Sequence, residues 1–166
     1  SGYRNIFWTK GSFPPLKLSN KDRNLIRSAK VLHLDGIYPE LSLLAAEWAR
    51  ESSCRVVLDA GSVREGMREL VERSHIIIAS QNFARDFTVE QTPAKAASDL
   101  KSLGPEIVVI TLGEQGCYCL SEEKGGFSPG FKVKIVDTTG AGDVFHGAFI
   151  YGLLQNWPLA KIIRFA

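Results

Sequence analysis

Long apolar runs are missing from this 166-residue chain. None approaches the ~20 residues that a helix needs to cross a bilayer, so the sequence predicts a protein with no membrane partner. A large excess of one charge is missing too, since 20 basic and 18 acidic side chains leave a net charge of +2. Nucleic-acid-binding domains concentrate far more positive charge, and the sequence therefore predicts no nucleic-acid partner.

Cysteine and histidine are also scarce. The three cysteines are Cys54, Cys117 and Cys119, an odd number whose spacing fits no zinc-binding pattern. We interpret them as reduced thiols, the form typical of a cytoplasmic protein. The three histidines are His33, His75 and His146. They also lack metal-binding spacing, so each is expected to be packed or exposed and not to bind a metal.

The remaining composition is ordinary for a globular protein, with 45% hydrophobic and 23% charged residues. At ~150 residues per domain, the length predicts a single domain over 1–166. Residues 1–30 carry seven basic side chains and one acidic, a net charge of 7 − 1 = +6. This segment either attracts a phosphorylated ligand or forms a solvated basic edge that discourages aggregation.

Apolar runs alternate with amphipathic stretches from residue 31 onward. Strands are predicted for the apolar runs, at 31–34, 55–59, 75–79 and 107–111. Helices are predicted for the stretches between them, at 41–50, 63–73 and 93–103. The last of these has Thr92 as its N-cap and Pro93 in its first turn. Such alternation predicts an α/β fold, in which a mainly parallel sheet has helices on both faces.

The pattern changes after residue 113. Short apolar segments at 117–120 and 132–136, with a Gly125-Gly126 turn between them, predict antiparallel strands that close one edge of the sheet. A helix is expected over 140–154, and Pro158 begins another. Because ligands of open α/β sheets bind beyond the carboxyl ends of the strands, the residues that follow the strands are the first candidates for a site.

The segment 137–143, Asp-Thr-Thr-Gly-Ala-Gly-Asp, leads into the 140–154 helix. Gly140 and Gly142 remove side chains where backbone N–H groups and the helix dipole favour a phosphate group. Asp143 adds a carboxylate that can accept a proton from an attacking alcohol. An Asp that only stabilises the helix start would explain a bare G-x-G-D pattern. Seven specified positions, however, have a chance frequency on the order of 10⁻⁹ per start site.

This segment, with the residues that continue it to 149, resembles the C-terminal signature of the ribokinase-like (PfkB) family of carbohydrate kinases. The segment 111–116, Thr-Leu-Gly-Glu-Gln-Gly, is similar to the family's T-L-G-x-x-G nucleotide loop. Gly2 and Arg4 are similar to the G-x-R of its lid strand. The resemblance implies a three-layer ribokinase-like fold that is incomplete at both ends. Residues 1–30 would be the lid segment and its connection, and 31–166 the central and nucleotide-binding part.

The resemblance also implies an activity, the ATP-dependent phosphorylation of a hydroxyl group on a sugar or similar small polyol. Asp143 would be the catalytic base, beside an anion hole formed by Gly140, Ala141 and Gly142. The nucleotide-binding positions would be Thr111, Gly113, Gly116 and Ser80. Asp137 and Thr139 would help to hold a monovalent cation such as K⁺, and ATP with Mg²⁺ would be the cofactors.

One feature of the family is absent. Many members carry N-x-x-E after the strand that matches 75–79, to organise magnesium through water, but this chain has Ser80 and Phe83 there. A shift of register to Asn82 would place Arg85 at the acidic position. No protein ligand for Mg²⁺ is therefore assigned from the sequence, since ATP and water alone could hold the ion. A similar serine-containing departure occurs in the ketohexokinase-like branch, which favours a ketose or keto-sugar substrate.

The substrate side is predicted at Asp35 and Gly36, where the family turns towards its sugar. Asp59 ends another strand at the same edge, and either aspartate could instead cap the next helix or turn. Large apolar side chains on both faces of 3–8 predict a lid strand that pairs with a second subunit in a homodimer. Burial of this strand within one chain is the alternative.

A second function remains compatible with these patterns, a catalytically weak or inactive ribokinase-like protein that binds nucleotide or sugar as a regulator. Asp143 and the neighbouring glycines favour the kinase, because a binding protein has no need for a base beside the anion hole. The missing N-x-x-E favours the regulator. A dinucleotide-binding dehydrogenase is excluded, since no G-x-G-x-x-G follows a predicted strand.

Overall fold

Six strands form one sheet in the computed structural model, which describes residues 11–166 except 13, 15 and 123. The strands are β1 (Val31–Leu34), β2 (Arg55–Ala60), β3 (Ile76–Ser80), β4 (Ile107–Thr111), β5 (Cys117–Leu120) and β6 (Gly125–Ser128). Their order in the sheet is the same as their order in the chain. The first four are parallel, and β5 and β6 continue the sheet as antiparallel strands.

Seven α-helices and one 3₁₀ turn lie within the described residues. The helices are α1 (Asn20–Ser28), α2 (Pro39–Arg50), α3 (Met67–Arg73), α4 (Gln81–Thr88), α5 (Pro93–Ser102), α6 (Ala141–Leu154) and α7 (Leu159–Phe165), and the 3₁₀ turn is Gly113–Gln115. None of the helices in the described part of the chain combines the length and apolar character needed to cross a bilayer.

The order of the strands determines the layers. Right-handed crossovers between parallel strands that advance in one direction place every connecting helix on the same face. Residues of α3, α4 and α5 accordingly share one apolar core with side chains such as Leu58 and Ile77. The opposite face, around Val57 and Ile78, is covered by α6 and α7. The predicted α/β fold with helices on both faces is therefore confirmed.

The parallel strands agree with the sequence to within one residue at each end. Helix α3 begins at Met67 and not at residue 63, because Gly66 adopts a left-handed φ of +76° at the N-cap. Thr92 is the N-cap of α5 as expected, although its side chain makes no capping hydrogen bond. Helices α1 and α4 were not predicted. The first begins at a capping box formed by Ser19 and Asp22, and the second follows β3 with no intervening loop.

The expected strand at 132–136 is wrong. No strand is found there among the described residues, and Val133 and Val136 are 70% and 92% exposed. The Gly125-Gly126 pair was expected to form the turn but lies inside β6. The turn precedes β6 at 121–124, where Ser121 N–H donates to the Lys124 carbonyl at 3.2 Å. Strand β6 is the last in the sheet, and 132–136 does not pair with its outer edge, so the alternating pattern there forms no ladder. The predicted lid positions, Gly2, Arg4 and 3–8, lie outside the described residues.

Candidate active site

The start of α6 is set by the turn that precedes it. Asp137 Oδ1 accepts a hydrogen bond from Thr139 N–H at 2.8 Å, and Ala141 N–H donates to the Thr138 carbonyl at 3.1 Å. Gly140 is the N-cap and has a φ of +74°, a conformation that costs an L-residue roughly 1–2 kcal/mol. These local bonds and the N-cap conformation fix the turn from which α6 begins.

Two backbone amides at this point are open. Neither Gly142 N–H nor Asp143 N–H donates a hydrogen bond to another described residue. The Ala141 amide, which was predicted to share the anion hole, is used by the Thr138 carbonyl. Two adjacent free donors at the positive end of a 14-residue helix suit a phosphate or a developing phosphoryl charge.

The Asp143 carboxylate borders these amides. Asp143 lies in the first turn of α6 and is exposed to solvent. A β-carbon built on Gly140 would lie 3.7 Å from Asp143 Oδ2, so a glycine at the N-cap keeps the approach to the carboxylate clear. The site thus combines an ionisable oxygen and two free donors within one helical turn.

The predicted nucleotide loop follows β4. Gly113 has a φ of +61°, and a β-carbon there would meet no atom within 4 Å. Gly116 has a φ of +94°, and a β-carbon there would lie about 2.1 Å from the Ser128 carbonyl oxygen. Gly113 is therefore open to a ligand, whereas Gly116 is required for the contact between the loop and the chain that follows β6.

Ser80 and Thr111 are neighbours at the carboxyl ends of β3 and β4. Ser80 Oγ accepts from Phe83 N–H at 3.0 Å and donates to the Gly61 carbonyl at 2.9 Å. Thr111 Oγ1 donates to the Ala79 carbonyl at 3.3 Å. Both hydroxyls therefore have structural partners, and Ser80 in particular caps α4.

Asp35 and Gly36 lie directly after β1. Asp35 Oδ1 accepts from Ile37 N–H at 3.0 Å in a local turn, and the residue is exposed. Gly36 is buried with a φ of +69°, and a β-carbon would lie 2.6 Å from Met67 Sδ. The close approach of α3 accounts for the glycine, while Asp35 is available to a ligand.

Sequence reasoning missed a cluster formed by His33, Asp59 and His146. His33 Nε2 lies 3.0 Å from His146 Nδ1. His146 Nδ1 in turn lies 3.8 Å from Asp59 Oδ2. Burial raises the pKa of the Asp59 carboxyl, and the two imidazoles act in the opposite direction and lower it. Burial likewise lowers the pKa of His146, opposed mainly by Asp59. The residues come from β1, β2 and α6, so no local sequence signal could have found them.

The cluster adjoins the predicted catalytic residue. His146 follows Asp143 by three positions on α6, which is one turn of the helix. The charge of Asp143 acts on both Asp59 and His146, raising the pKa of each. Asp143 therefore lies near the residues that β1 and β2 contribute to the cluster, whereas the predicted nucleotide loop follows β4.

The thiols agree with the interpretation of reduced cysteines, since all three are free. Cys54 and Cys117 are buried. Burial, with the neighbouring Cys117, raises the pKa of Cys119 to about 12. None of them has the depressed pKa of a reactive thiolate.

A cavity of about 820 Å³ lies away from Asp143, beside helices α2 and α3. It is lined by the first turns of α2 and α3, among them Tyr38, Pro39 and Glu69, together with Leu16 from the start of the described chain. None of the predicted site residues lines it.

Comparison with known proteins shows the family to which this fold and this helix start belong. The family described as pfkB family carbohydrate kinase matches residues 6–166. The chain belongs to this family. It is 35% identical over 127 residues to a ribokinase of Haemophilus influenzae, covering 74% of this chain and 42% of that protein. It is 33% identical over 147 residues to a cytidine kinase of Thermococcus kodakarensis, covering 82% of this chain and 52% of the relative.

Solved structures of pfkB relatives have the same fold. A ribokinase from Thermotoga maritima matches with a TM-score of 0.76 and 28% sequence identity, over 86% of this chain and 49% of that one. A PfkB protein from Polaromonas sp. JS666 matches with a TM-score of 0.78 and 25% identity, over 86% of this chain and 52% of that one. The chain thus spans about half the length of the relatives it matches.

Proposed function

We propose that the full-length protein catalyses ATP-dependent phosphorylation of a hydroxyl group on a sugar or similar small polyol. The observation that carries this proposal is the start of α6, where the open amides of Gly142 and Asp143 stand beside the Asp143 carboxylate. Family membership supports it, because the matching relatives include a ribokinase and a cytidine kinase.

In this mechanism Asp143 accepts the proton of the attacking hydroxyl. The Gly142 and Asp143 amides then face the phosphoryl group as negative charge spreads over its oxygens. Phosphoryl transfer depends mainly on alignment and on donors placed where this charge develops. The exposed position of Asp143 leaves room for the hydroxyl on one side and for the γ-phosphate over the helix start.

The ATP would extend from the start of α6 towards the loop after β4. Gly113 supports this path, because its Cα faces open space while a left-handed φ turns the backbone. Thr111, Gly116 and Ser80 would shape the same edge through their structural contacts. ATP supplies the transferred phosphoryl group, and Mg²⁺ would be held through the phosphate oxygens and water, which suits its preference for oxygen ligands and retained water.

For the monovalent cation, we propose Asp137 and Thr139 as contributors. Both precede α6 in the turn that the Asp137 carboxylate helps to form. For the substrate, we propose a sugar that reaches Asp35, with a ketose as the first compound to test because of the serine at position 80. The relatives named probable fructokinases are consistent with testing ketoses first.

The alternative is a nucleotide- or sugar-binding regulator with weak or no catalysis. It is favoured by Ser80 and Phe83, since the first caps α4 and the second is buried. Neither supplies the carboxylate that many relatives use to organise magnesium.

Replacing Asp143 by asparagine tests the proposal. Asp143→Asn preserves the shape of the side chain and removes the base, so turnover should fall by roughly 10²–10⁴-fold. The KM for ATP should stay level or fall, because a negative charge near the triphosphate is gone. The free energy of unfolding should fall by only about 0.3–1 kcal/mol, the worth of one carboxylate at a helix N-terminus.

Asp99→Asn is the matched control, because Asp99 is an exposed aspartate on α5, on the other face of the sheet. Its turnover should equal that of the wild type. Both variants are assayed as full-length protein with Mg²⁺, K⁺ and a panel of ketoses, aldoses and nucleosides. Turnover of Asp143→Asn within a few-fold of the wild type would contradict the role of Asp143 as base. No ATP-dependent phosphorylation by the wild type, with retained nucleotide binding, would favour the regulator.

A further inference from the structure

Three metal-binding side chains converge on the α6 face of the sheet, outside the groups used for phosphoryl transfer. His33 projects from β1, Asp59 from β2 and His146 from α6. One nitrogen of each imidazole and one carboxylate oxygen all lie within 4.8 Å of one another. The three residues are widely separated in sequence. The pairing of β1 with β2 brings His33 near Asp59, and the packing of α6 on the sheet adds His146.

The distances between these atoms suit a small transition-metal ion. A tetrahedral zinc ion bonds to imidazole nitrogen at about 2.0–2.1 Å and to carboxylate oxygen at about 2.0–2.2 Å, which places neighbouring ligand atoms roughly 3.3 Å apart. His33 Nε2 and His146 Nδ1 are 3.0 Å apart, and His146 Nδ1 and Asp59 Oδ2 are 3.8 Å apart. Shifts of well under 1 Å bring both of these pairs to the required spacing. The ligand atoms of His33 and Asp59 lie within 4.8 Å of each other and would have to approach by up to about 1.5 Å.

The donor set and its accessibility fit the same ion. Two imidazoles and one carboxylate are a common protein ligand set for zinc, and they leave a fourth position for water or another ligand. The His146 side chain is 7% exposed and that of Asp59 is 29% exposed, while His33 is exposed. The cluster is therefore anchored in the core on one side and reachable from solvent on the other.

We propose that His33, Asp59 and His146 form a binding site for a divalent transition-metal ion, of which Zn²⁺ is the test case. Binding requires both converging nitrogens to carry lone pairs, so the proton now shared between the rings moves to another ring nitrogen or to solvent. The ion would connect α6 directly to β1 and β2, one helical turn from the proposed base. It is separate from the magnesium that accompanies ATP, whose hard oxygen ligands differ from these imidazoles.

The test uses metal-free, full-length protein carrying no histidine tag. Zn²⁺ binding is measured by calorimetry, and Co²⁺ is used as a spectroscopic substitute whose visible absorption reports tetrahedral coordination. The ligand variants are His33→Gln and Asp59→Asn. The matched control is His75→Asn, because His75 is the remaining histidine and lies outside the cluster.

The wild type and His75→Asn should each bind one equivalent of Zn²⁺. The ligand variants should raise the Kd by at least about 10–100-fold, the range found even for residues that only support a metal ligand. Zn²⁺ should also raise the melting temperature of the wild type and the control, since a ligand that binds only the folded state stabilises it. His33→Gln should lose this increase. Its metal-free melting temperature should stay close to that of the wild type, because His33 is exposed and gives up only its contact with His146.

Unchanged Zn²⁺ affinity in His33→Gln would overturn the proposal, as would wild-type protein that binds no Zn²⁺ at a concentration tenfold above that of the protein. The cluster would then be a hydrogen-bonded histidine pair beside a carboxylate. Neither result depends on kinase turnover, so the metal site and the proposed activity can fail separately.

Discussion

Gly113 and Gly116 illustrate how one residue type has two roles in one short loop. Both adopt positive φ angles, a conformation that costs other residues roughly 1–2 kcal/mol and that glycine adopts without this cost. Only Gly116 is also enclosed, with backbone atoms of Ser128 and Gly130 inside contact distance of a β-carbon. The motif that places them in a nucleotide loop does not distinguish these roles.

We therefore expect Gly113→Ala and Gly116→Ala to differ. Gly113→Ala should raise the KM for ATP by about 3–10-fold, equivalent to roughly 1 kcal/mol, and leave the KM for the sugar unchanged. Gly116→Ala should lower the melting temperature strongly or prevent soluble expression, because its methyl group overlaps the backbone. Steady-state kinetics and thermal melting measure the two effects. Equal increases in both KM values for Gly113→Ala would indicate a general folding defect and remove this residue from the nucleotide site.

At the scale of the elements, β2 and β3 are joined by a histidine side chain as well as by the ladder. His75 Nδ1 accepts from Val56 N–H at 2.9 Å, just before β3 begins. Burial lowers the pKa of His75, opposed by Glu106 and reinforced by Arg50 and Arg55. The neutral ring is thus the form that fits this position, because a protonated Nδ1 cannot accept the hydrogen bond.

The lowered pKa of His75 predicts a pH-dependent stability. The unfolded chain binds a proton near pH 6.5 and the folded chain only at lower pH, so its contribution is full above about pH 6.5. It is lost as the pH falls through the interval between the two pKa values, by at most ~1.4 kcal/mol per pH unit. His75→Asn keeps an acceptor oxygen near the place of Nδ1 but does not titrate. Urea denaturation from pH 7.5 to pH 5 should show a shallower decline for this variant, and parallel declines would refute the assignment.

At the scale of the whole molecule, α6 links the proposed site to the core. Phe149 is fully buried and contacts the cluster around Val57, Ile78 and Val109 on the sheet. The face of α6 that carries Phe149 also carries His146, while Asp143 remains at the exposed first turn. Packing of one helix therefore positions both the proposed base and the proposed metal site.

Phe149→Ala should lower the free energy of unfolding by about 3–5 kcal/mol, the usual cost of deleting a buried phenyl ring. Phe127→Ala is the control, because Phe127 is 65% exposed and its ring contacts only Tyr118 among the described aromatic residues. The free energy of unfolding of Phe127→Ala should fall by about 1 kcal/mol or less. Chemical denaturation of the full-length protein measures both, and similar losses for the two variants would contradict the proposed docking of α6.

The local pattern of apolar residues was sufficient to predict the strands that are buried along most of their length. The continuous apolar runs of β3 and β4 are buried on both faces, and such runs form parallel strands wherever helices cover both sides. The segment 137–143 likewise predicted the start of α6, because glycine conformation and first-turn charge act within a few residues. Helices α1 and α4 were missed because they are only nine and eight residues long, and because α4 follows β3 with no loop to mark its start.

The sequence by itself therefore determined the four strands of the parallel part of the sheet and the glycine-rich helix start, because a continuous apolar run and the conformation of glycine are both properties of near neighbours in the chain. Only the tertiary structure decided which residues distant in sequence lie next to each other. It placed His33 beside His146, 113 residues away. It also explains the glycine at position 36, because Met67 approaches too closely for a side chain there. It also left 132–136 without a strand partner among the described residues. These outcomes depend on strand order and on the face to which each helix docks, which no local period of apolar residues specifies.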